Sequence, residues 1–407
     1  MQISKRHKEL QQSPSSIMVG HGICSLDPYD EKNPNGYLNF GTAENHIMYD
    51  LLLPELNKPL CLNKTHLPYN SLHGRQDTTE ALAKFLELFL NVKPLNFENM
   101  ILQTGLSAVC ESLSFCMMDE GDYIMIPTPY YPGFDHDFTK RFKGQILRVP
   151  LSKDHNYAHN ILAFKKAFDG CPEKKRIKAV LITHPHNPTA EIISEQFFEE
   201  ISQFCLDNNL QLLSDEIYAL STFPKKNHQS LYQYAKNKGV NAHLMYGLAK
   251  DFAMAGFKVG VFYSEDEQIT AAMRELSYFH PVSTPTQQLI THFFSNTKFI
   301  SSYTETLSKR LSDIHQKLTR ELNEFNFLPA QAGLFMLLDL SAYCPSKEAE
   351  LKLFHTLLND YKINMTPGSE LGLTDYGFFR VCFAHENNAI NEFISRLKRF
   401  QQTCGSN

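Results

Sequence analysis

The stretch Met245-Tyr246-Gly247-Leu248-Ala249-Lys250-Asp251-Phe252-Ala253-Met254-Ala255-Gly256-Phe257-Lys258 decides the fold. A short apolar run ends in a turn of small residues, and Lys250 stands where the run stops. Apolar neighbours on both sides desolvate an amine placed there. Desolvation lowers a lysine pKa and makes the amine a usable nucleophile toward a carbonyl. Most lysines are solvated surface groups, so the weight of this one depends on what precedes it.

Upstream, the same grammar repeats. Residues 101–103 read as a strand, followed by Thr104-Gly105-Leu106-Ser107 and a helical pattern through Met117. A strand, a glycine turn and a helix start leave free N–H groups pointing outward, which suits an anion. The spacing matches neither the dinucleotide glycine fingerprint nor the P-loop lysine motif. Residues 122–126 form the next strand, closed by Pro127-Thr128-Pro129-Tyr130-Tyr131-Pro132-Gly133-Phe134. Residues 179–183 are apolar without alternation, as expected of a parallel sheet buried on both faces, and run into His184-Pro185-His186-Asn187-Pro188. Residues 195–208 are helical, with Phe197, Phe198, Ile201, Phe204 and Cys205 inward. Residues 210–213 form a strand that ends in Ser214-Asp215-Glu216-Ile217-Tyr218, and residues 243–246 form the strand before Lys250, with residues 260–263 pairing beside it. Asp215 follows directly on buried residues, so an ionised carboxylate there needs a partner.

This alternation predicts an α/β fold built on a doubly wound, mainly parallel sheet. Ligands of such sheets sit beyond the carboxyl ends of the strands. Gly105, Tyr131, Asn187, Asp215 and Lys250 all occupy such ends, and their convergence from five turns outweighs any one of them. The flanks read differently. Residues 23–53 form an extended segment punctuated by Pro28, Asn33, Pro34 and Gly36, and residues 79–90 a helix whose inner face carries Leu82, Phe85, Leu86 and Phe89. After about residue 290 come a charged helix over 304–325, an apolar strand over 333–340, a helix over 348–358 and an aromatic strand over 376–383. Arg380 inside that last strand is either an edge residue facing water or a buried guanidinium awaiting a carboxylate.

The 407 residues are 43% hydrophobic and 20% charged, an ordinary globular composition, with net charge -5. That leaves no basic face for nucleic acid, and no apolar run approaches the roughly 20 residues that span a bilayer. The start of the chain is basic and then polar, without an apolar core, so it reads as a frayed start and not a signal peptide. The nine cysteines sit at apolar positions such as Cys110, Cys116, Cys205 and Cys382 and read as buried, reduced thiols. His184 and His186 lack a second ligand pair, so no metal site is expected.

Together these residues resemble the fold-type I pyridoxal 5′-phosphate (PLP) enzymes of aminotransferase class I/II, in the branch of the 1-aminocyclopropane-1-carboxylate (ACC) synthases. Asp27-Pro28-Tyr29-Asp30, Asn33-Pro34-Asn35-Gly36 and Ala43-Glu44-Asn45 are similar to that branch's N-terminal segment. Pro127 to Asp135 and Phe379-Arg380-Val381-Cys382-Phe383 look specific to the branch, whereas Ser214 to Tyr218 and Lys250-Asp251 with Gly256-Phe257 belong to the wider superfamily. The resemblance runs in order over residues 25–385.

It implies a large PLP-binding domain over 46–290, an N-terminal arm over 1–45 and a small α+β domain over 291–407 that draws on both termini. It implies Lys250 as the amine that forms an aldimine with the cofactor and later moves the substrate α-proton by way of a quinonoid. Asp215 would hold the pyridine nitrogen protonated, Asn187 and Tyr218 would bond the phenolic oxygen, and Tyr131 would stack on the ring, with Tyr130 the fallback. Leu106 and Ser107 would meet the phosphate, Arg380 the substrate carboxylate, and Glu44 the region of the leaving group. Gly247 and Lys258 fall where the family usually has a serine and an arginine on the phosphate, so a hydroxyl is lost and a fork becomes a point charge. Leu72 stands where the plant enzymes place a tyrosine that reaches the neighbouring subunit, and Tyr69 is the substitute. The resemblance further implies a homodimer acting on an α-amino acid, by γ-displacement or elimination or by transamination, and a cytoplasmic location is expected for it. The alternative is an inactive scaffold of the same fold used for binding.

Overall fold

Strands buried on both faces need apolar residues at every position, and the computed structural model shows where they stack. It describes residues 3–10, 15–224, 226 and 228–404. In chain order the strands are β1 (Leu38–Asn39), β2 (Met100–Gln103), β3 (Tyr123–Thr128), β4 (Gln145–Pro150), β5 (Ile177–Thr183), β6 (Gln211–Asp215), β7 (Ala242–Gly247), β8 (Gly260–Ser264), β9 (Asn326–Phe327), β10 (Phe335–Asp339), β11 (Ile363–Asn364), β12 (Thr366–Pro367) and β13 (Phe378–Cys382). Seven of them form one sheet in the order β2-β8-β7-β6-β5-β3-β4. Within it β4, β3, β5, β6 and β7 run parallel, and β8 lies antiparallel between β7 and β2. This is the doubly wound, mainly parallel α/β sheet that the sequence predicts.

Alternate residues of one strand enter opposite layers. Leu212 and Leu244 join the larger apolar core, while Leu213 and Met245 join the core under the Leu106–Met117 helix. That two-sided burial explains why these segments show no polar alternation. The direction of β8 has a functional consequence. Its first residue, Gly260, pairs with Gly247 at the end of β7 and with Gln103 at the end of β2. The carboxyl ends of β2, β3, β5, β6 and β7 therefore open on a single edge of the sheet.

A second, antiparallel sheet has the order β12-β13-β10-β9, and β1 pairs parallel with β11. The chain before the large sheet is thereby stitched to the chain after it. Arg396 makes part of the same seam, donating to the carbonyls of Pro34 and Gly36.

Several expected boundaries shift. The segment expected to be extended from residue 23 begins inside a helix, Ser16–Leu26, whose N-terminus is capped by the Ser15 hydroxyl on the Met18 amide. Its end is helical too, in Tyr49–Leu56. The long charged helix starts earlier than expected, at Thr297, because Asn296 caps it through the Phe299 amide. The polar start of the chain carries a short helix, Lys5–Leu10, and the fraying expected at Met1, Gln2 and residues 11–14 lies outside the described residues. Among the described residues no helix is long and apolar enough to cross a membrane. Eight described cysteines are free, seven of them buried or part-buried and Cys61 exposed.

Candidate active site

At the shared strand edge the turns enclose a cavity of about 220 Å³. Lys250 and Asp215 both line it, together with Leu106, Ser107, Tyr131, Asn187, Tyr218, Gly247 and Lys258. Nine of the residues singled out from sequence thus meet in one space, although they come from turns scattered over more than a hundred positions.

Lys250 follows β7 and is part-buried. Burial, with Arg380 as a further unfavourable charge, pulls its amine down to about 8. The amine donates to the carbonyl oxygen of Ala43 at 2.6 Å. Its backbone is held in turn, since Asn45 Nδ2 donates to the Lys250 carbonyl at 3.2 Å. The next residue, Asp251, is fully buried and anchors the turn: it accepts from Ser221 Oγ, the Leu220 amide and the Tyr246 hydroxyl at 2.6, 3.0 and 3.0 Å.

Asp215 ends β6 and is 4% exposed. It accepts from Thr183 Oγ1 at 3.1 Å and from the Ile217 amide at 3.3 Å. Burial nevertheless pushes its carboxyl up to about 7, against those two bonds and the attraction of Lys250. Among the described residues no cation forms an ion pair with it. Its chain neighbour Glu216 is buried for another purpose, accepting from Ser214, Ser230, the Tyr232 amide and His228.

Arg380, in the middle of β13, is 3% exposed, which settles its two readings in favour of the buried guanidinium. It donates to the Gly41 carbonyl at 2.7 Å, Thr366 Oγ1 at 3.3 Å and Asn187 Oδ1 at 3.1 Å, and its plane lies over the Phe335 ring. Its Nε has no partner, and among the described residues no carboxylate lies at ion-pair distance. A buried cation with only neutral acceptors around it favours a nearby anion, although Arg380 is not itself among the residues lining the cavity.

One end of the cavity is lined by backbone. The Leu106–Met117 helix starts after Gly105, whose φ of 93° suits glycine, and no side chain caps it. Leu106 and Ser107 therefore present free N–H groups. Gly260 packs so closely on Gly105 that an added Cβ would lie 2.5 Å from the Gly105 carbonyl carbon. Lys258, left-handed at φ 53°, brings its side chain up to Gly105, 3.9 Å from where a Cβ would stand. At Gly247 a Cβ would come 3.2 Å from the Val259 carbonyl oxygen, so the turn is closed tightly around the missing side chain.

Tyr131, and not Tyr130, faces the cavity. Its ring lies over Gly133, where a Cβ would collide at 2.2 Å. Tyr130 is buried elsewhere, with its hydroxyl at 3.0 Å from Asp135 and 3.1 Å from Arg148. Glu44 is set apart. It lines a different cleft of about 320 Å³ with His46 and His385, 3.5 Å from His46 Nε2. His46 holds its carboxyl below the usual range, with Lys250 adding a smaller attraction. A larger open groove of about 710 Å³ between His46, Arg310 and Glu386 holds none of the other residues singled out.

Sequence reasoning missed four participants. The Ala43 carbonyl is a main-chain atom that residue types cannot disclose. Thr183 and Asp251 were in plain view beside expected positions. Asp137 also lines the cavity; its signal is an acid on the apolar face of a short helix, between Phe134 and Phe138. Of the two histidines weighed for metal, His186 joins His159 and Glu191 in one close group. In it His159 Nδ1 is 2.8 Å from Glu191 Oε2 and His186 Nδ1 is 2.8 Å from Thr189 Oγ1, a brace between two loops.

Comparison with known proteins bears on the whole chain. The family described as aminotransferase class I and II matches residues 46–397. The chain is 32% identical to 1-aminocyclopropane-1-carboxylate synthase 9 of Arabidopsis thaliana, over 96% of this chain and 89% of that one. It is 29% identical to the 1-aminocyclopropane-1-carboxylate synthase of Nicotiana tabacum, over 92% and 81%. Among solved structures, an aspartate aminotransferase double mutant from Thermus thermophilus superposes with a TM-score of 0.82 at 19% identity, covering 98% and 99% of the two chains. That likeness concerns the fold alone.

Proposed function

We propose, on the premise that this chain belongs to the class I and II aminotransferase family, that it acts on an α-amino acid with pyridoxal 5′-phosphate at Lys250. The chain is an enzyme of the ACC synthase or transaminase type. The single observation that carries the site assignment is that the Lys250 amine and the Asp215 carboxyl open on one cavity.

The residues present fit the cofactor. Asp215 is a buried carboxyl without a cation, which suits a protonated pyridine nitrogen. The uncapped N–H groups of Leu106 and Ser107, together with Lys258, suit a phosphate. Gly105 and Gly260 form a cradle that a Cβ would fill. When bound, the cofactor supplies an electron sink for charge developing at the substrate α-carbon.

The chain's own residues do the rest. Lys250, neutral above about pH 8, is nucleophilic toward an aldehyde and afterwards a base for the α-proton at its Nζ. Arg380 takes the α-carboxylate through the edge that carries its unpartnered Nε, which fixes the orientation of the α-carbon. Asn187, bonded to Arg380 at 3.1 Å, couples carboxylate recognition to the ring position. Tyr131 and Tyr218 line the cavity; Tyr131 would cover one face of the cofactor ring, and Tyr218 would donate to its phenolic oxygen.

Between γ-displacement and transamination, Glu44 favours the first. Its carboxylate, held ionised and already attracting Lys250, would also attract a substrate whose leaving group is a cation such as a sulfonium. Incubation with S-adenosylmethionine, and separately with an amino acid and a keto acid, separates the outcomes by product. The site itself is tested by loading with pyridoxal 5′-phosphate, borohydride reduction and peptide mapping; a label anywhere but Lys250 sinks the assignment.

We read a homodimer from the surface. His66 bonds Gln288 and Asn70 bonds Thr284, which lays the segment of exposed Leu67 and Tyr69 near that of exposed Tyr278 and Phe279. An apolar patch of that kind suits a second copy, with Tyr69 reaching across; sedimentation as a monomer would count against it. Domain limits at 45/46 and 290/291 and a cytosolic location, suited to free thiols, complete the proposal.

A further inference from the structure

Behind the segment that carries Glu44 lies a column of stacked rings. Phe393, Phe40, His385 and His46 follow one another at centroid spacings of 4.3, 4.4 and 4.6 Å, with interplanar angles of 15°, 25° and 16°. Phe393 and Phe40 are fully buried, and the column ends at His46, whose side chain is 30% exposed. The Tyr49 ring meets His46 edge-on at 5.5 Å, and the His46 amide donates to the Ala384 carbonyl at 2.8 Å. The imidazole is thus held by two rings and by its own backbone. Held there, it sets Nε2 at 3.5 Å from Glu44 Oε2. Glu44 directly follows Ala43, whose carbonyl takes the Lys250 amine at 2.6 Å, so this contact stands one residue from the tether of the nucleophile.

The charges around this pair come from several elements. Among the described residues His46 is the one ion-pair partner of Glu44. Glu44 also feels Lys250 and, from the helix Ser16–Leu26, His21. His46 stacks on His385, which burial keeps neutral by pulling its ring down to about 3, so the column brings no second positive charge. The open groove that His46 also lines carries Glu386 and Asp50, with Arg310, Asp313, Lys317 and Arg320 from the helix Thr297–Glu321. Arg310 and Asp50 are engaged with each other at 2.7 and 2.8 Å. Because His46 lines both this groove and the Glu44 cleft, protons reach it without opening the fold.

A neutral imidazole leaves the carboxylate's charge to a ligand, whereas an imidazolium at this distance cancels much of it. We propose that His46 is a positioning residue that sets the charge preference of the site: neutral, it leaves Glu44 to a positive group on the substrate side chain, and protonated, it occupies Glu44 and excludes that group. The proton comes from solvent and joins an imidazole nitrogen; no electrons move and no other bond is made or broken. The ligand class so selected is an α-amino acid whose side chain carries a fixed positive charge, such as a sulfonium. The inference rests on Glu44 meeting the substrate side chain, as in the function proposed above.

The experiment compares S-methylmethionine with methionine as ligands of the protein loaded with pyridoxal 5′-phosphate, read by the absorbance of the bound cofactor. The two share the α-amine and the α-carboxylate and differ in one methyl group and the positive charge. The ratio of their affinities therefore isolates the charge, and the titration of Lys250 cancels. Between pH 8 and 5.5 the ratio for the unaltered protein is expected to fall by about tenfold, as one linked proton requires. Glu44, whose carboxyl His46 holds below the usual range, stays ionised throughout. His46→Gln has an amide that does not titrate, and its ratio is expected to stay flat at the high-pH value. Glu44→Gln is expected to give a low ratio at every pH. A purely structural role for His46 would shift both ligands together and leave the slope in place. Parallel slopes in the unaltered protein and His46→Gln, with Glu44→Gln still low, would overturn the inference and leave the Glu44 reading standing. A Glu44→Gln ratio equal to that of the unaltered protein at pH 8 would overturn the Glu44 reading and the inference with it. Failure of both ligands to change the absorbance at any pH would overturn the amino-acid reading of the site as well.

Discussion

The Lys250 amine and the Ala43 carbonyl oxygen are 2.6 Å apart and hydrogen-bonded, which fastens the N-terminal segment to the end of β7. With the Asn45 bond to the Lys250 carbonyl, it makes the nucleophile and the segment carrying Glu44 one mechanical unit. Engaging the amine elsewhere loosens that unit.

Lys250→Ala should therefore free the segment as well as abolish cofactor capture. A hydrogen bond from a charged donor contributes about 1.5–3 kcal/mol, so amides near Ala43 should exchange at least tenfold faster in the variant. Hydrogen exchange at Glu44 and His46 reads this directly. Unchanged protection there would mean that the bond does not tether the segment.

The pH course of imine formation follows from the same amine. With its pKa lowered by burial to about 8, its reactive fraction falls about tenfold per pH unit below that value and is nearly constant above 9. Stopped-flow absorbance of the apoprotein with pyridoxal 5′-phosphate should show that plateau. A rate still climbing at pH 10 would identify the amine as an ordinary solvated one.

Arg380→Lys should separate carboxylate recognition from folding. The lysine keeps the charge but loses the fork that now bridges Gly41, Thr366 and Asn187. Two charge-assisted bonds of roughly 1.5 kcal/mol each correspond to a KM higher by about a hundredfold for the amino acid. An amino-acid amide, which has no carboxylate, should lose far less. Equal losses for both ligands would place Arg380 outside the carboxylate site.

The site was legible from the sequence wherever function follows from a strand end. The apolar run 179–183 and the run before Lys250 give their direction away because both faces of the sheet are covered, and Asp215 stands out as an acid against that background. Arg380 was visible as a charge among aromatics, but not its burial, which depends on β12 and the Gly41 turn crossing over it. The helix at Ser16 was obscured because only Gly20 and Cys24 of it are buried, too few to set a helical period. Asp137 was overlooked because Asp135, two positions earlier, looks identical in type yet faces Tyr130 and Arg148. Two positions, about 200° around an α-helix, decide which acid enters the cavity.

Gly260→Ala tests the cradle. A Cβ there would lie 2.5 Å from the Gly105 carbonyl carbon and 2.8 Å from the Leu106 amide nitrogen, so β8 must move away from the start of the helix. Affinity for pyridoxine 5′-phosphate should drop by tenfold or more while that for pyridoxine changes little, and overpacking should cost about 1–3 kcal/mol of stability. Gly256→Ala, with nothing within 4 Å of the added Cβ, is the matched control. Similar behaviour of the two variants would remove Gly260 from the account.

Asp215→Asn makes the opposite kind of prediction, a variant more stable than its parent in the absence of ligand. The carboxyl is raised from 3.8 to about 7 by burial, so the folded apoprotein holds a proton that the unfolded chain releases. A group raised in this way contributes stability in full below its unfolded pKa and loses it as pH climbs through the folded one. Between pH 5 and 7 the loss is about 2 kcal/mol at 1.36 kcal/mol per pKa unit. Asparagine has no proton to lose, and Thr183 can rotate its hydroxyl to accept from the amide, so the variant should lack this slope and exceed the parent in urea midpoint at pH 8. A cationic ring nitrogen reverses the order, because it pairs with the ionised aspartate and not with the amide. Added pyridoxine 5′-phosphate should then raise the parent's midpoint well above the variant's. Identical pH slopes in the two apoproteins would show that the strain is not at Asp215, and an equal response to ligand would show that the nitrogen does not sit there.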